Sequence, residues 1–224
     1  MKLVKQIALA LFVVATILSL YLFAYYRNGS NGEGYSNTNA DIVKTPKTET
    51  QAYAQEIEPI QKTGYIFIGD SRFVGMDTHC NISNSDDKFV IAKVSEGHKY
   101  LVDVAMHEAY SIIKDNTDIT HWKYIICLGI NDLHNIDKYV ETYNTIKDNI
   151  DLVIVSVNPV AYHSTISNED IEGFNSKLQE IEGVQYIDTY SGLVDYGFGT
   201  VDGIHYTGDT YEYIYLTIGK NLKD

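Results

Sequence analysis

Short apolar runs alternate with helix-like segments from residue 63 to residue 224, and this alternation constrains the fold more than any other feature. The runs are rich in Val and Ile and have the length of strands that are covered on both faces. They occupy residues 65–68, 89–94, 124–128, 152–157 and 184–187. The helix-like segments occupy residues 100–114, 136–148, 170–181 and 210–222, and a further one begins after Ser71. Such alternation predicts right-handed βαβ units, and hence a three-layer α/β/α sandwich with a five-stranded parallel sheet.

The N-terminus carries an apolar run of membrane-spanning length. Lys2 and Lys5 precede an uninterrupted apolar stretch, residues 7–26, which as a helix at about 1.5 Å per residue spans roughly 30 Å, the thickness of a hydrocarbon core. Residues 22–26 contain no convincing small-residue cleavage site, so we expect residues 1–26 to be a signal anchor and transmembrane helix. Cleavage of this run as a signal peptide, with secretion of the remainder, is the alternative.

The charges around this run predict its orientation. The two lysines place the amino end in the cytoplasm and the remainder outside the cell membrane, although Arg27 weakens the charge asymmetry. Residues 27–62 are rich in Asn, Gly, Ser, Thr and Glu, which is typical of a flexible linker. Residues 63–224 are then expected to form one domain of ordinary size.

Composition excludes one class of partner and leaves a question about the cysteines. A net charge of −13, without a basic patch, argues against nucleic acid as a ligand. The chain contains 45% hydrophobic residues, enough to bury a core. Cys80 and Cys127 have no metal-binding spacing, and Cys127 lies in a predicted central strand, where it is expected to be a small buried side chain. Whether the two pair as a disulfide is left open.

Polar motifs follow the predicted strands. In parallel sheets, ligands bind beyond the carboxyl ends of the strands, so these motifs are the candidate site. They are Gly69-Asp70-Ser71, Ser95-Glu96-Gly97-His98, Gly129-Ile130-Asn131-Asp132, Asn158-Pro159-Val160 and, before the last helix, Asp202-Gly203-Ile204-His205. A histidine has the acid–base chemistry needed to activate a serine, and an Asp three residues earlier can hold its tautomer.

In its motifs and their order, the chain resembles the SGNH hydrolases, also called GDSL esterases and lipases. The resemblance covers essentially all of residues 63–224. It implies a flavodoxin-like fold and a catalytic triad of Ser71, Asp202 and His205. It also implies an oxyanion hole made by the N–H groups of Ser71 and Gly97 and the side-chain amide of Asn131. The family needs no metal and no cofactor, and none is expected.

Each motif also has a simpler reading. Asp70 or Ser71 could merely cap a helix, and Asp-Gly pairs favour turns. Asn131 could cap its loop, with support from the adjacent Asp132. The order Ser, Asp, His also occurs in α/β-hydrolases, but Phe73 stands where their nucleophile motif requires glycine.

The positions around the motifs leave two questions open. Arg72 replaces the leucine or other apolar residue that GDSL members usually carry, so it either brings positive charge to the cleft or lies on the helix surface. Three histidines, His98, His134 and His163, fall in loops on the same face, but their spacing is not that of metal ligands. We expect them to line the substrate rim or to be solvated. The tyrosine-rich stretch 206–215 either stacks on sugars or packs on the sheet.

Taken together, the sequence predicts a single-pass, extracytoplasmic serine esterase. Its expected substrate is an O-acyl group, with O-acetyl favoured, on a cell-envelope or extracellular glycan, and the reaction would pass through an acyl-Ser71 intermediate. The alternatives are an O-acetyltransferase or a lipid esterase that uses the same site, and a tethered glycan-binding module without activity. The sequence indicates no oligomeric state.

Overall fold

A five-stranded, fully parallel sheet forms the centre of the domain, as predicted. The computed structural model describes residues 61–222, so the predicted anchor and nearly all of the predicted linker lie outside the described residues. The strands are β1 (Thr63–Gly69), β2 (Lys88–Ala92), β3 (His121–Cys127), β4 (Asp151–Val155) and β5 (Gln185–Ile187). Their order across the sheet is β2-β1-β3-β4-β5. Within residues 61–222, no helix is both long and apolar enough to cross a membrane.

Alternate residues of the strands face two separate hydrophobic cores. In β1, Ile66 and Ile68 enter one core while Phe67 enters the other. In β3, Ile126 and Ile125 divide in the same way. All five side chains are almost fully buried. Successive side chains of a strand point to opposite faces, so burial of both faces requires the continuous Val- and Ile-rich runs seen in the sequence.

Helices cover both faces of the sheet. They are α1 (Ser71–Cys80), α2 (Met106–Asp115), α3 (Ile136–Ile146), α4 (Asn168–Gln179), α5 (Tyr190–Tyr196) and α6 (Gly208–Asn221). A short helix, His98–Tyr100, and a π-helical stretch, Leu101–Ala105, lead into α2. Helices α2, α3 and α4 pack on one face, and α1 and α6 pack on the other, while α5 adds Tyr190 to the first core and Leu193 to the second. The predicted three-layer architecture is therefore confirmed.

Two details differ from the sequence expectations, for identifiable reasons. Helix α5 was not predicted, because it has only seven residues, of which Tyr190 and Leu193 alone are buried, and these give no readable period. The run predicted at 89–94 ends as a strand at Ala92, because its neighbour β1 ends opposite it at Gly69. Both cysteines are free, and Cys127 is buried as expected.

A side chain takes over hydrogen bonding where β4 ends. The predicted strand 152–157 stops at Val155, and Asn175 of α4 then binds both backbone groups of Val157. Its Oδ1 accepts the Val157 N–H, and its Nδ2 donates to the Val157 carbonyl, each at 2.8 Å. Asn175 and Val157 are both buried, so water could not take over these hydrogen bonds if the Asn175 side chain were removed.

We therefore expect Asn175→Ala to lower the free energy of unfolding by about 2–3 kcal/mol, because it leaves two buried backbone groups unpaired. Urea denaturation of the isolated domain measures this loss. The matched control is Asn144→Ala, which removes an exposed amide that donates to Val140 within α3. That control should change stability by no more than about 0.5 kcal/mol. Equal effects of the two variants would contradict the assignment.

Candidate active site

Ser71 occupies the first position of α1 with its hydroxyl available. The capping role falls to Asp70, whose Oδ1 accepts the N–H of Arg72 at 2.9 Å. The alternative that Ser71 itself caps the helix is therefore excluded. The Ser71 Oγ instead lies 2.9 Å from Nε2 of His205, 134 positions later in the chain. A strand, a buried cap and a helix N-terminus thus present one free hydroxyl to one imidazole.

The turn Asp202–His205 is built around the Asp202 carboxylate. Its Oδ1 accepts the N–H groups of Ile204 and His205 at 3.0 and 2.8 Å. Its Oδ2 lies 2.6 Å from Nδ1 of His205. The proton shared with this carboxylate is therefore the Nδ1 proton, which leaves Nε2 to accept from Ser71. The hydrogen bond from the His205 ring, and then those from the two backbone N–H groups, hold the pKa of Asp202 well below its usual range.

Gly203 is required at the second position of this turn. Its φ is +92°, and a Cβ there would lie 2.2 Å from the backbone oxygen of Tyr162. The Gly203 carbonyl accepts the N–H of Ala161 at 2.9 Å. The loop after β4 therefore packs directly against the turn that carries His205, and only glycine allows this approach.

Asp132 joins the loops that carry the two other predicted residues, Gly97 and Asn131. Its Oδ2 accepts the N–H of His98 at 2.9 Å, and its Oδ1 accepts the hydroxyl of Tyr139 at 2.8 Å. A Cβ on Gly97 would lie 2.5 Å from this carboxylate. Glycine at position 97 therefore leaves room for the Asp132 side chain. From the sequence, Asp132 was expected only to support a cap formed by Asn131. The one sequence signal for its larger role was its position directly after Asn131.

Asn131 makes one contact that the loop-cap reading anticipated. Its Nδ2 donates to the carbonyl of Glu96 at 2.8 Å, which ties the loop after β3 to the loop after β2. The side-chain amide has a second N–H, and the residue is exposed. The N–H groups of Ser71 and Gly97 donate to no acceptor within residues 61–222. Catalytic roles for these three groups stay a prediction.

Arg72 does not lie on the helix surface. It is buried beneath the site, and its Nη1 donates to the carbonyl of Asn158 at 2.7 Å. The buried environment raises the pKa of the neighbouring Asp70, and the Arg72 charge opposes that rise. Tyr211 is also buried, and it packs on the sheet side of α6. For this tyrosine, packing is confirmed over sugar stacking.

A groove of about 790 Å³ opens beside Asn131 and Ile204. His134 and His163 line it, and their place at a substrate rim stays a prediction. His98 does not line this groove. Its Nε2 lies 2.8 Å from Oγ1 of Thr142 instead. Burial lowers the pKa of His98. Within the described part of the chain, no three His, Cys, Asp or Glu residues are close enough together to hold a metal ion.

Comparison with solved structures identifies the fold. No family model and no curated protein matches the chain. A protein of Slackia heliotrinireducens described as an SGNH hydrolase matches with a TM-score of 0.54 and 12% identity, over 73% of this chain and 100% of that one. A lipolytic G-D-S-L family member from Veillonella parvula gives 0.52 and 11%, over 70% and 97%. The lipase Lip_vut3 from a goat rumen metagenome gives 0.51 and 16%, over 72% and 97%.

The chain therefore has the fold of the SGNH hydrolases, as the ordered motifs predicted. The match covers nearly the whole length of each of the three solved structures. At this level of identity it shows a shared fold.

The Asp202 carboxyl should titrate well below the usual value of about 3.9. Its pKa is lower in the folded state, so this group stabilises the fold above about pH 4, and its contribution is lost as the pH falls further. A ¹³C NMR titration of the carboxyl group measures the value directly. His205→Ala should raise it only in part, because the two backbone N–H donors remain. An ordinary pKa in the unaltered protein would contradict the observed hydrogen bonding.

Proposed function

We propose that residues 63–224 form a serine esterase that removes O-acyl groups, with O-acetyl favoured, from a cell-envelope or extracellular glycan. One observation carries the proposal. Ser71, His205 and Asp202 form a continuous hydrogen-bonded series, with steps of 2.9 and 2.6 Å, at the carboxyl end of β1. Such a series is the arrangement that turns a serine hydroxyl into a nucleophile.

In the proposed first step, His205 Nε2 takes the Ser71 proton while Ser71 Oγ attacks the ester carbonyl. The resulting oxyanion is met by the free N–H groups of Ser71 and Gly97 and by the second amide N–H of Asn131. Collapse of the tetrahedral intermediate breaks the ester C–O bond, and the His205 proton passes to the departing sugar oxygen. Asp202 keeps the imidazolium oriented throughout.

In the second step, water replaces the sugar. His205 takes a proton from the water, whose oxygen attacks the acyl-Ser71 carbonyl and forms a second oxyanion in the same place. Cleavage of the acyl–Ser71 bond releases the carboxylic acid and returns the proton to Ser71. The hydrogen bonds from Ser71 to His205 and from His205 to Asp202 support the proton transfers in both steps.

The form of the site supports a small acyl group on a polar carrier. The side chains of His205 and Asp202 are 37% and 53% exposed, so a bulky substrate can reach them. The adjoining groove has both polar and apolar lining groups, including His134, Glu169 and Phe174. Hydroxyl-rich sugars need such mixed contacts, whereas a long acyl chain is better matched by an enclosed apolar channel.

The proposed location outside the cell membrane follows from the sequence. The apolar run 7–26 has the length of a single membrane span, and the lysines before it favour a cytoplasmic amino end. The linker would then hold the domain within reach of envelope glycans, and a small ester is the only partner that the proposal requires.

Ser71→Ala should abolish ester turnover and labelling by a fluorophosphonate probe, because both need the Ser71 oxygen. Hydrolysis of p-nitrophenyl acetate and release of acetate from acetylated polysaccharides are the assays. The melting temperature should stay close to that of the unaltered domain, since Ser71 does not cap α1. Persistent turnover in Ser71→Ala would overturn the proposal, and so would an unaltered domain that neither turns over esters nor reacts with the probe.

Asn131→Ala tests the oxyanion hole. We expect kcat to fall by roughly 10² to 10³, with KM within a few fold, since an oxyanion donor acts mainly on the tetrahedral state. Loss of the Glu96 hydrogen bond should also lower stability by about 1 kcal/mol, so the loop-cap effect is expected beside the catalytic one. Steady-state kinetics and denaturation of one purified variant separate the two. Lower stability with normal kcat would leave the loop cap as the sole role of Asn131.

A further inference from the structure

We propose that Arg72 is a positioning residue, which fixes His205 relative to Ser71 through Tyr206 and the loop after β4. The inference rests on the proposed esterase function. Arg72 directly follows Ser71 in the chain, and Tyr206 directly follows His205. A contact between Arg72 and Tyr206 therefore sets how far apart the backbones of the two reacting residues lie.

Arg72 is only 4% exposed, yet two of its three guanidinium nitrogens have no hydrogen-bond partner in the described residues. Its Nη1 binds the Asn158 carbonyl, while Nε and Nη2 are buried without a partner in the described residues. A buried donor without an acceptor is destabilising, and a buried cation more so. A leucine here would avoid this penalty, so stability alone does not account for the arginine.

The guanidinium lies over the ring of Tyr206. Its Cζ lies 5.1 Å from the ring centroid, within cation–π range. Tyr206 is 2% exposed, and its hydroxyl donates to the carbonyl of Pro159 at 2.5 Å. Arg72 and Tyr206 thus contact each other and bind consecutive carbonyls, those of Asn158 and Pro159. We call these four residues the Arg72 bracket.

The carbonyls in the bracket are themselves held in place. Asn158 Oδ1 accepts the hydroxyl of Thr189 at 2.7 Å, and the Ala161 N–H donates to Gly203 within the His205 turn. The loop after β4 therefore cannot shift without moving the His205 turn. This rigidity is needed because a misplacement of about 1 Å between reacting groups can lower a rate about 10²-fold.

The extended shape of the Arg72 guanidinium distinguishes a positioning role from a simple effect of its charge. The Arg72 charge also opposes the rise in the pKa of buried Asp70, and a lysine could do the same. A lysine ammonium is compact and cannot both lie over the Tyr206 ring and donate to Asn158 in the way that the broad guanidinium does. The Arg72→Lys variant therefore separates position from charge.

Arg72→Leu, Arg72→Lys and Tyr206→Leu should each lower kcat on p-nitrophenyl acetate about 10- to 100-fold, with KM within about threefold. The rate of Ser71 labelling by the fluorophosphonate probe should fall by a similar factor. Combining Arg72→Leu with Tyr206→Leu should add little to either single change, because both break one bracket. Tyr206→Phe keeps the ring and should lose less activity than Tyr206→Leu, and it offers a milder change if the others fold poorly.

Lys123→Leu is the matched control. Lys123 is also a buried cation, but it pairs with Asp151 at 2.8 Å towards the amino end of the sheet, away from Ser71. This variant should lower the melting temperature and leave kcat unchanged.

The inference is overturned if Arg72→Leu loses stability as the control does but keeps its kcat, or if Arg72→Lys is fully active. Additive effects of the Arg72 and Tyr206 changes would also overturn it. An unaltered enzyme that reacts with neither ester nor probe would instead overturn the proposed function, and this inference with it.

Discussion

Backbone groups that leave the sheet at its carboxyl edge have no neighbouring strand to bind, and the site depends on the side chains that bind them instead. Asp70 binds the first turn of α1, Asp132 binds the N–H of His98, and Asn175 binds both groups of Val157. These polar side chains fix the loop conformations because unpaired buried backbone groups are destabilising. A rigid edge can then present a serine, a histidine and free N–H groups without any of them being used for structure.

Most of the side chains that hold these loops are carboxylates, and the environment of each carboxylate determines its protonation and its role. Asp202 is exposed and accepts three hydrogen bonds, so it stays ionised and can orient an imidazole. Asp70 is buried, and desolvation raises its pKa despite the nearby Arg72 charge. The first suits a group that must stabilise an imidazolium, while the second suits a cap whose place in the core is fixed.

The sequence predicted the parallel sheet, its faces and the motifs at the strand ends, because these depend on local periodicity and on the order of the motifs. It did not predict what Arg72 and Asp132 contact, since their partners lie 86 and 34 positions away along the chain. The open choice for Arg72 between cleft and surface was settled by Asn158, a residue from the end of a different strand. Helix α5 was missed for the opposite reason: it is too short to carry a period.

Two pairs of adjacent residues show how the core can control a site at the surface. In a helix successive side chains diverge by about 100°, so Ser71 can face the cleft while Arg72 enters the core. At Tyr206 the chain forms a β-bridge with Thr200, and neighbouring side chains there point to opposite sides, so His205 faces out and Tyr206 faces in. Ser71 and His205 are thus each joined by one peptide bond to a buried partner, and the buried partners touch. A rearrangement of the core would then alter the distance between Ser71 and His205, which gives a physical reason for an incompletely paired, buried arginine at this point.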